Sequence, residues 1–292
     1  MFFKKYNEKK DGVIRGYDVR STSVKIACII IMLICLLIVL CSVFPVVWVF
    51  LASFKDIREF NREVTIIPSS FDLSKLQDTW QQFKFIKYYR NSLIAVAGSI
   101  VCAVIFNGLL AYVIAILKPK GYKIIWMLVM WSLLIPSITN IVSLYRNINI
   151  LGLNGTFIPL WFAYGANAFY VVLFKEFFEE IPGELLEAAR LDGAGVLRVF
   201  TSIILPLSRP IIMVVAIFAM TAAWSDFLLP YLTLKGTQFE TVMVKLFAFK
   251  DTPTDAVSVL RACMFAIVPP TIIFAIFQKQ ITDGASAGAI KG

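Results

Sequence analysis

Long apolar runs without a charged side chain recur along the chain, separated by shorter polar segments. A helix needs about 20 mostly apolar residues to cross the roughly 30 Å hydrocarbon layer of a bilayer. The pattern predicts six transmembrane helices, in residues 26–54, 91–117, 124–145, 147–174, 210–234 and 262–278. In the fourth run Asn154-Gly155 indicates a turn, so we expect its helix to begin near Thr156. The predicted fold class is all-α, a polytopic membrane protein.

The composition supports this prediction and excludes several kinds of chemistry. Apolar residues make up 59% of the 292 residues and charged residues only 16%, against about 45–50% and 25% in soluble domains. The chain has no His, which excludes catalysis and metal binding that depend on imidazole. We find no catalytic constellation, so we do not expect an enzyme. The cysteines lie in apolar runs without metal-ligand spacing and are expected to be packing residues: Cys28, Cys35, Cys41, Cys102 and Cys263.

The distribution of basic residues predicts how the spans are oriented. The N-terminal tail is basic, and the short loop at 118–123 has three lysines and no acid. Because cytoplasmic loops carry an excess of Lys and Arg, and six is an even number, both termini are expected in the cytoplasm of a multi-pass cell-membrane protein. The external segments would be 55–90, 146–155 and 235–261. The net charge of +9 therefore requires no nucleic-acid partner.

The internal segment 175–209 is too long and too patterned for a plain connector. Pro182 and the acids around it indicate a helix start, and Gly193 indicates its end. A second short helix is expected to run from Val196 to Leu205 and to end at Pro206. The first helix carries adjacent small residues that would let another backbone approach closely. A docking element for a partner and an amphipathic helix on the membrane surface both fit this pattern.

The spacing within this segment resembles the EAA loop of ABC importer permeases. The pattern EAA-x3-G-x9-I-x-L-P is matched at every specified position between Glu187 and Pro206. In that family the loop forms a coupling helix that sits in a cleft of a cytoplasmic ATPase subunit. The resemblance implies an ATPase-coupling role for Glu187, Ala188, Ala189, Arg190, Asp192, Gly193, Leu205 and Pro206.

Other stretches extend the resemblance over roughly residues 85–292. Asn91-Ser92-Leu93 and Ala111-Tyr112 look like the same permease core. Residues 224–230 are similar to a carbohydrate-importer signature that usually has Asn where Ser225 stands, and residues 284–292 resemble the end of the maltose-type subgroup. The implied organisation is a cytoplasmic tail (1–25), a first helix with its external loop (26–84), a type I permease core (85–282, with the EAA loop at 179–209) and a cytoplasmic C-terminal tail (283–292).

The resemblance also implies partners. The chain has no GxxxxGK[ST] loop, so it cannot bind ATP in that manner, and ATP and Mg would be bound by two ATPase subunits. A second permease chain and an external solute-binding protein are implied as well, with segment 235–261 contacting the latter. This chain is expected to bind no cofactor or metal itself. The small residues of the C-terminal tail predict disorder in isolation. The family suggests that the tail reaches the ATPase interface, and the alternative is a solvated end.

Four residues are candidates for the translocation pathway. Asp226 is the only acid well inside a predicted span, but about 1.5 Å rise per residue places it near the far interface, where solvation or helix capping competes with substrate contact. Trp224 could belong to an interfacial belt or stack on a sugar. Asn140 and Ser143, with nearby Ser137 and Thr139, could line the pathway or join helices.

The sequence therefore predicts the permease subunit of an ATP-driven importer for a sugar or oligosaccharide. One alternative is an ABC permease for another solute, because the EAA loop alone does not separate the two. The other is a proton-coupled secondary transporter that uses Asp226. That class normally shows repeated spans and several intramembrane charges, which this chain lacks. The sequence does not identify the sugar, or which permease chain holds it.

Overall fold

The computed structural model describes residues 22–62, 65–249 and 254–289, and the chain divides into two compact units, residues 1–72 and 73–292. All regular secondary structure in these described residues is helical, which confirms the all-α prediction. Most of the predicted N-terminal tail (residues 1–21) and the last residues of the C-terminal tail (290–292) lie outside the described part.

The first unit consists of a long apolar helix and a small folded loop. Helix α1 spans Thr22–Ala52 and helix α2 spans Ile57–Arg62. The loop is closed by two side-chain contacts: Lys55 Nζ donates to Thr65 Oγ1 (2.8 Å), and Glu59 accepts from both the backbone N–H (2.8 Å) and the hydroxyl (2.9 Å) of Ser69. The first predicted span is therefore one helix, as expected from its continuous apolar run.

The second unit is a bundle of helices of unequal length. In chain order they are α3 (Ser74–Gln82), α4 (Phe85–Leu117), α5 (Tyr122–Ser132), α6 (Ile141–Ile150), α7 (Ile158–Gly165), α8 (Ala168–Glu179), α9 (Gly183–Leu191), α10 (Val196–Leu207), α11 (Arg209–Ser225), α12 (Leu228–Leu234), α13 (Val242–Ala248) and α14 (Ala256–Ala289). Its apolar core includes side chains from α4, α8, α9, α10 and α11 in one cluster, and from α3, α4, α11, α13 and α14 in another.

The apolar runs do not all form unbroken helices. By length and composition α1, α4 and residues 256–278 of α14 could each span a membrane, and α10 with α11 could form one bent span. The third, fourth and fifth predicted spans are interrupted, between α5 and α6, α7 and α8, and α11 and α12. The count of six spans therefore stays a prediction, and the apolar runs are consistent with it. Only the fifth of these runs was noted in the sequence as interrupted, by Asp226; the breaks in the third and fourth were not predicted, because the runs around them carry no charged residue.

The C-terminal end of the chain differs from the sequence-based expectation. Helix α14 begins at Ala256, six residues before the predicted span, and continues to Ala289. Residues 283–289 are therefore helical, not irregular. Alanine at 285, 287 and 289 favours this continuation and Gly284 and Gly288 oppose it, so helix propensity alone does not explain it.

Helices α10 and α11 meet at a sharp bend of 82°. Ser208, the residue between them, is fully buried and its hydroxyl donates to the Ile204 carbonyl at 2.6 Å. This side-chain bond and the backbone bond from Ser208 N to the same carbonyl (2.9 Å) satisfy the end of α10 where the chain changes direction. Helix α10 is thus joined through Ser208 to α11, the first part of the fifth predicted span.

Candidate coupling loop and polar contacts at the helix breaks

The predicted coupling helix is α9, which is packed on the protein along one side. Leu186 and Ala189 are each 8% exposed and belong to the same apolar cluster as Val199 and Phe200 of α10. Their spacing of three residues places them on one face of a helix. Leu185 and Leu191 of the same helix are exposed, so a docking element and a membrane-surface helix both stay predictions.

Gly193 ends α9 in a Schellman motif. Its φ is +77°, and its N–H donates to the Arg190 carbonyl at 3.0 Å. The next N–H, of Ala194, donates to the Ala189 carbonyl, also at 3.0 Å. These are the two hydrogen bonds that define the motif and satisfy the last carbonyls of a helix. Nothing lies within 4 Å of a Cβ added at Gly193, so glycine is required for its backbone conformation and not for space.

The remaining predicted coupling residues of α9 point outward. Glu187, Ala188, Arg190 and Asp192 are exposed, and Leu191 is 89% exposed. Beside them lies a cleft of about 190 Å3 between α9 and α10, lined by Ala189, Asp192, Ala194, Arg198, Ser202 and Ile203. The loop therefore presents a surface of small and charged residues together with the exposed leucines Leu185, Leu191 and Leu197.

Helix α10 connects this loop to α4. The Tyr112 hydroxyl donates to the Val196 carbonyl at 3.1 Å, and the rings of Tyr112 and Phe200 lie 5.2 Å apart. Pro206 was expected to end α10, but the helix continues to Leu207. A π-helical turn (Phe200–Ile204) precedes a new α-helical turn, and proline is tolerated in a first turn, where its missing N–H costs no hydrogen bond.

Asp226 lies at the break between α11 and α12, here called the fifth-span break (residues 226–227). Its Oδ1 accepts from the Leu228 N–H at 2.8 Å, and its Oδ2 accepts from the Tyr164 hydroxyl at 2.6 Å. Of the two sequence-based alternatives, the structure has the capping arrangement, together with a contact between spans. The residue is intermediate in exposure, so it is neither a fully solvated nor a fully buried charge.

Asn107 makes the corresponding contacts at the break between α7 and α8, the fourth-span break (residues 166–167). Asn107 is 3% exposed and closes a π-helical turn of α4 (Ala103–Asn107). Its Nδ2 donates to the Gly165 carbonyl, and its Oδ1 accepts from the Asn167 N–H at 3.1 Å. One side chain thus satisfies two backbone groups that the interrupted helix leaves without helical partners.

The sequence analysis did not select Asn107 or Tyr164 as site residues. The available signal was an Asn in an otherwise apolar span, a residue that forms contacts between helices in membranes. The resemblance did include Asn91 and Ser92. The Asn91 amide donates to the carbonyls of Gln238 and Glu240, both at 2.9 Å, and the Ser92 hydroxyl accepts from the Val242 N–H at 3.0 Å. This pair fixes residues 238–242 to the start of α4.

Trp224 is 3% exposed, and its indole N–H donates to the Ala266 carbonyl of α14 at 2.9 Å. Its ring meets Tyr89 edge to face at 5.6 Å. In this conformation the ring is buried between helices, and the interfacial-belt and sugar-stacking positions both stay predictions. Its assignment to the pathway stays a prediction.

Asn140 and Ser143 are exposed residues at the start of the second half of the third predicted span. Asn140 ends a 3-10 turn (Ser137–Asn140), and Ser143 lies in the first turn of α6. Within the described residues no hydrogen bond joins either side chain to Asp226. The structure therefore brings the coupling residues together on α9 and α10, whereas the pathway candidates lie on separate helices. A pathway role for Asn140 and Ser143 stays a prediction.

Comparisons with known proteins agree with this arrangement. Residues 101–285 match the family described as binding-protein-dependent transport system inner membrane component. The chain is similar to the diacetylchitobiose uptake system permease protein NgcG of Streptomyces coelicolor, with 28% identity covering 85% of this chain and 83% of NgcG. It is also similar to the galactooligosaccharides transport system permease protein GanQ of Bacillus subtilis, with 31% identity covering 86% and 90%.

The fold is shared with a solved structure. A chain from a bacterial ABC transporter involved in the import of the acidic polysaccharide alginate superposes with a TM-score of 0.78 at 20% identity, covering 89% of this chain and 98% of that one. The helical bundle that contains α9 and α10 is thus the fold of an ABC importer permease. The chain belongs to the family of inner-membrane components of binding-protein-dependent transport systems. Membership confirms the predicted permease class and a multi-pass membrane protein.

Proposed function

We propose that this chain is the permease subunit of an ATP-driven importer for a sugar or oligosaccharide. The observation that carries the substrate class is the similarity over most of the chain to permeases named for diacetylchitobiose and galactooligosaccharides. The chain would form the translocation pathway with a second permease chain. In the complete importer this chain would carry the solute across the membrane, and two partner ATPase subunits would bind ATP and Mg.

The proposed ATPase contact is the outward face of α9. The inward residues Leu186 and Ala189 hold the helix on the core, so it can transmit a displacement to the protein behind it. The exposed Ala188 permits close approach of a partner backbone, and Glu187 and Arg190 can pair with charges around it. Leu191 is exposed in the separate chain and would become buried by a docked ATPase.

The external segment 235–261 is the proposed contact for a solute-binding protein. The support is its attachment to the start of α4 through Asn91 and Ser92, which gives this segment a fixed position. We also propose that both termini lie in the cytoplasm, which the basic loop at 118–123 supports.

The first experiment is purification of the tagged chain from its native membranes in mild detergent, followed by mass spectrometry. We expect an ATP-binding-cassette protein and a second multi-span chain in comparable amounts. The variant Leu191→Asp should lose the ATPase but keep the second permease, because it changes only the outward face of α9. The matched control Leu197→Asp alters another exposed leucine of the same loop, on α10. A chain that purifies alone or as a homo-oligomer would contradict the proposal.

The substrate is tested by uptake into cells, with and without the chain, of a panel containing diacetylchitobiose, galactooligosaccharides and glycerol 3-phosphate. We expect loss of uptake of one of the sugars on deletion and its return on complementation. Selective loss of glycerol 3-phosphate uptake would instead support an ABC permease for a non-sugar solute.

A further inference from the structure

The fourth and fifth predicted spans are both interrupted, and a single side-chain contact joins their interruptions. Tyr164 lies in the last turn of α7, two residues before the fourth-span break. Asp226 begins the fifth-span break, after the end of α11. The hydroxyl of Tyr164 donates to Oδ2 of Asp226 at 2.6 Å, so the two breaks are adjacent in space although they are 62 residues apart in sequence.

Both oxygens of the Asp226 carboxylate have a structural partner. While Oδ2 accepts from Tyr164, Oδ1 accepts from the Leu228 N–H at 2.8 Å, which caps the start of α12. Hydrogen bonds to a charged acceptor are roughly twice as strong as those between neutral groups. The carboxylate therefore fixes the direction in which α12 leaves the break and, at the same time, holds α7 beside it.

The other side of the fourth-span break is held by α4. The Asn107 amide bonds the Gly165 carbonyl and the Asn167 N–H, and the Asn167 side chain in turn accepts from the Phe169 N–H at 2.9 Å to cap α8. A Cβ added at Gly165 would lie 2.4 Å from Cβ of Cys102 on α4, so these helices are in direct backbone contact. The fourth-span break is thus held on one side by α4, through Asn107, and on the other side by the bond between Tyr164 and Asp226.

We propose that Tyr164 and Asp226 are positioning residues that fasten the fourth-span break to the fifth-span break, so that the two broken helices move as one body during transport. The inference rests on the proposed transport function. Interrupted helices have fewer backbone hydrogen bonds at the break and are the sites where a bundle bends. Helix α11 also packs on α8 through the apolar core, but that packing does not fix the two breaks to each other. Without the fastening contact each break bends separately, and motion of the loop that continues into α11 is passed on to α7 and α8 less completely.

The test measures import and ATP hydrolysis separately in the complete transporter reconstituted in vesicles, with the imported sugar of the panel above as substrate. Tyr164→Phe removes only the hydroxyl, and we expect import per ATP hydrolysed to fall by about tenfold, the size of one charged hydrogen bond, while ATP hydrolysis continues. In Asp226→Ala, import per ATP hydrolysed should fall at least as far. In the double variant it should fall no further than in Asp226→Ala. Asp226→Asn keeps one oxygen that accepts from the Leu228 N–H, and its NH2 group can donate to the Tyr164 hydroxyl, so this variant should retain most of the import.

The matched control is Tyr170→Phe. Tyr170 is a buried tyrosine of the same span, and its hydroxyl has no hydrogen bond within the described residues. Import by Tyr164→Phe equal to that of Tyr170→Phe would overturn the proposal. So would an Asp226→Asn variant as inactive as Asp226→Ala, because a proton carrier needs the acid and a fastening contact does not.

A second measurement is independent of the transported solute. In a thermal-unfolding cycle on the purified complex, the shift caused by Tyr164→Phe should disappear in the Asp226→Ala background, because the partner of the hydroxyl is already absent. Additive shifts would overturn the proposal. If no sugar of the panel is imported but this cycle shows coupling, the sugar assignment fails and the contact between the breaks stands.

Discussion

The coupling loop and the two helix breaks are both irregular parts of a helical protein, but they are held in different ways. Helix α9 is held by apolar packing of Leu186 and Ala189 and by backbone hydrogen bonds at Gly193, and its charged residues are exposed. The breaks are held by polar side chains, of which Asn107 is 3% exposed. In the loop polar groups face outward, whereas at the breaks they face other helices.

This difference separates residues that serve a partner from residues that serve the fold of this chain. An exposed charged face contributes little to the stability of the isolated chain, so its substitution should affect assembly. A buried polar group that has lost its hydrogen-bond partner lowers the free energy of unfolding. Substitution at the breaks should therefore affect the stability and internal motion of this chain. Three substitutions follow in order of decreasing expected effect; the first two test this contrast, and the third changes a helix start outside both regions.

Asn107→Ala should be the most destabilising of the three. It leaves the Gly165 carbonyl and the Asn167 N–H without their side-chain partner in a buried place, which costs about 1–3 kcal/mol in free energy of unfolding. The measurement is denaturant or thermal unfolding of the purified complex. The control Asn147→Ala changes an exposed asparagine of α6 and should have little effect. Equal stability of the two variants would show that the break does not depend on its side-chain contacts.

Gly193→Ala should cost about 1–2 kcal/mol locally, because an L-residue is strained at a φ of +77°. We expect partial loss of the copurifying ATPase, and complete loss for the larger, charged Gly193→Glu. Gly195→Ala is the matched control, since Gly195 also has nothing within 4 Å of an added Cβ but has an ordinary φ of −68°. If Gly195→Ala loses as much ATPase as Gly193→Ala, the backbone explanation is wrong.

Asp255→Ala tests a helix start outside both regions. Asp255 accepts from the backbone N–H (2.9 Å) and hydroxyl (2.6 Å) of Ser258 and caps α14, so its loss should cost about 1 kcal/mol at pH 7. Burial raises the pKa of the Asp255 carboxyl, but the hydrogen bonds from Ser258 and the charge of Arg261 outweigh this and hold the pKa below its usual value.

A lowered carboxyl pKa stabilises the folded state above the unfolded pKa, and the contribution is lost as pH falls through the folded pKa. The stability difference between the Asp255→Ala variant and the unchanged protein should therefore be constant from neutral pH down to about pH 4 and shrink only below it. Thermal unfolding across this range measures it. The control Asp255→Asn keeps a capping oxygen and should stay close to the unchanged protein. A stability difference that already shrinks near pH 6 would contradict a lowered pKa for the Asp255 carboxyl.

Features encoded in local patterns could be predicted from the sequence. The all-α class followed from the apolar runs, and the end of α9 followed from Gly193, because left-handed backbone strongly favours glycine. The breaks at Asn167 and Asp226 could not be predicted in the same way. Their contacts come from Asn107 and Tyr164, about 60 residues distant, and no local pattern encodes such partners. The burial of Trp224 likewise depends on α14, which comes later in the chain.

The 82° bend between α10 and α11 determines in which direction α11 is pushed when α10 moves. The helix axes are nearly perpendicular, so a shift of α10 along its own length acts sideways on the near end of α11 instead of pushing it along its axis. Sideways force applied at one end of a rod produces rotation about the point where the rod is held. The buried Ser208 at the corner keeps the two arms joined, and a small shift of α10 at the membrane surface becomes a tilt of α11.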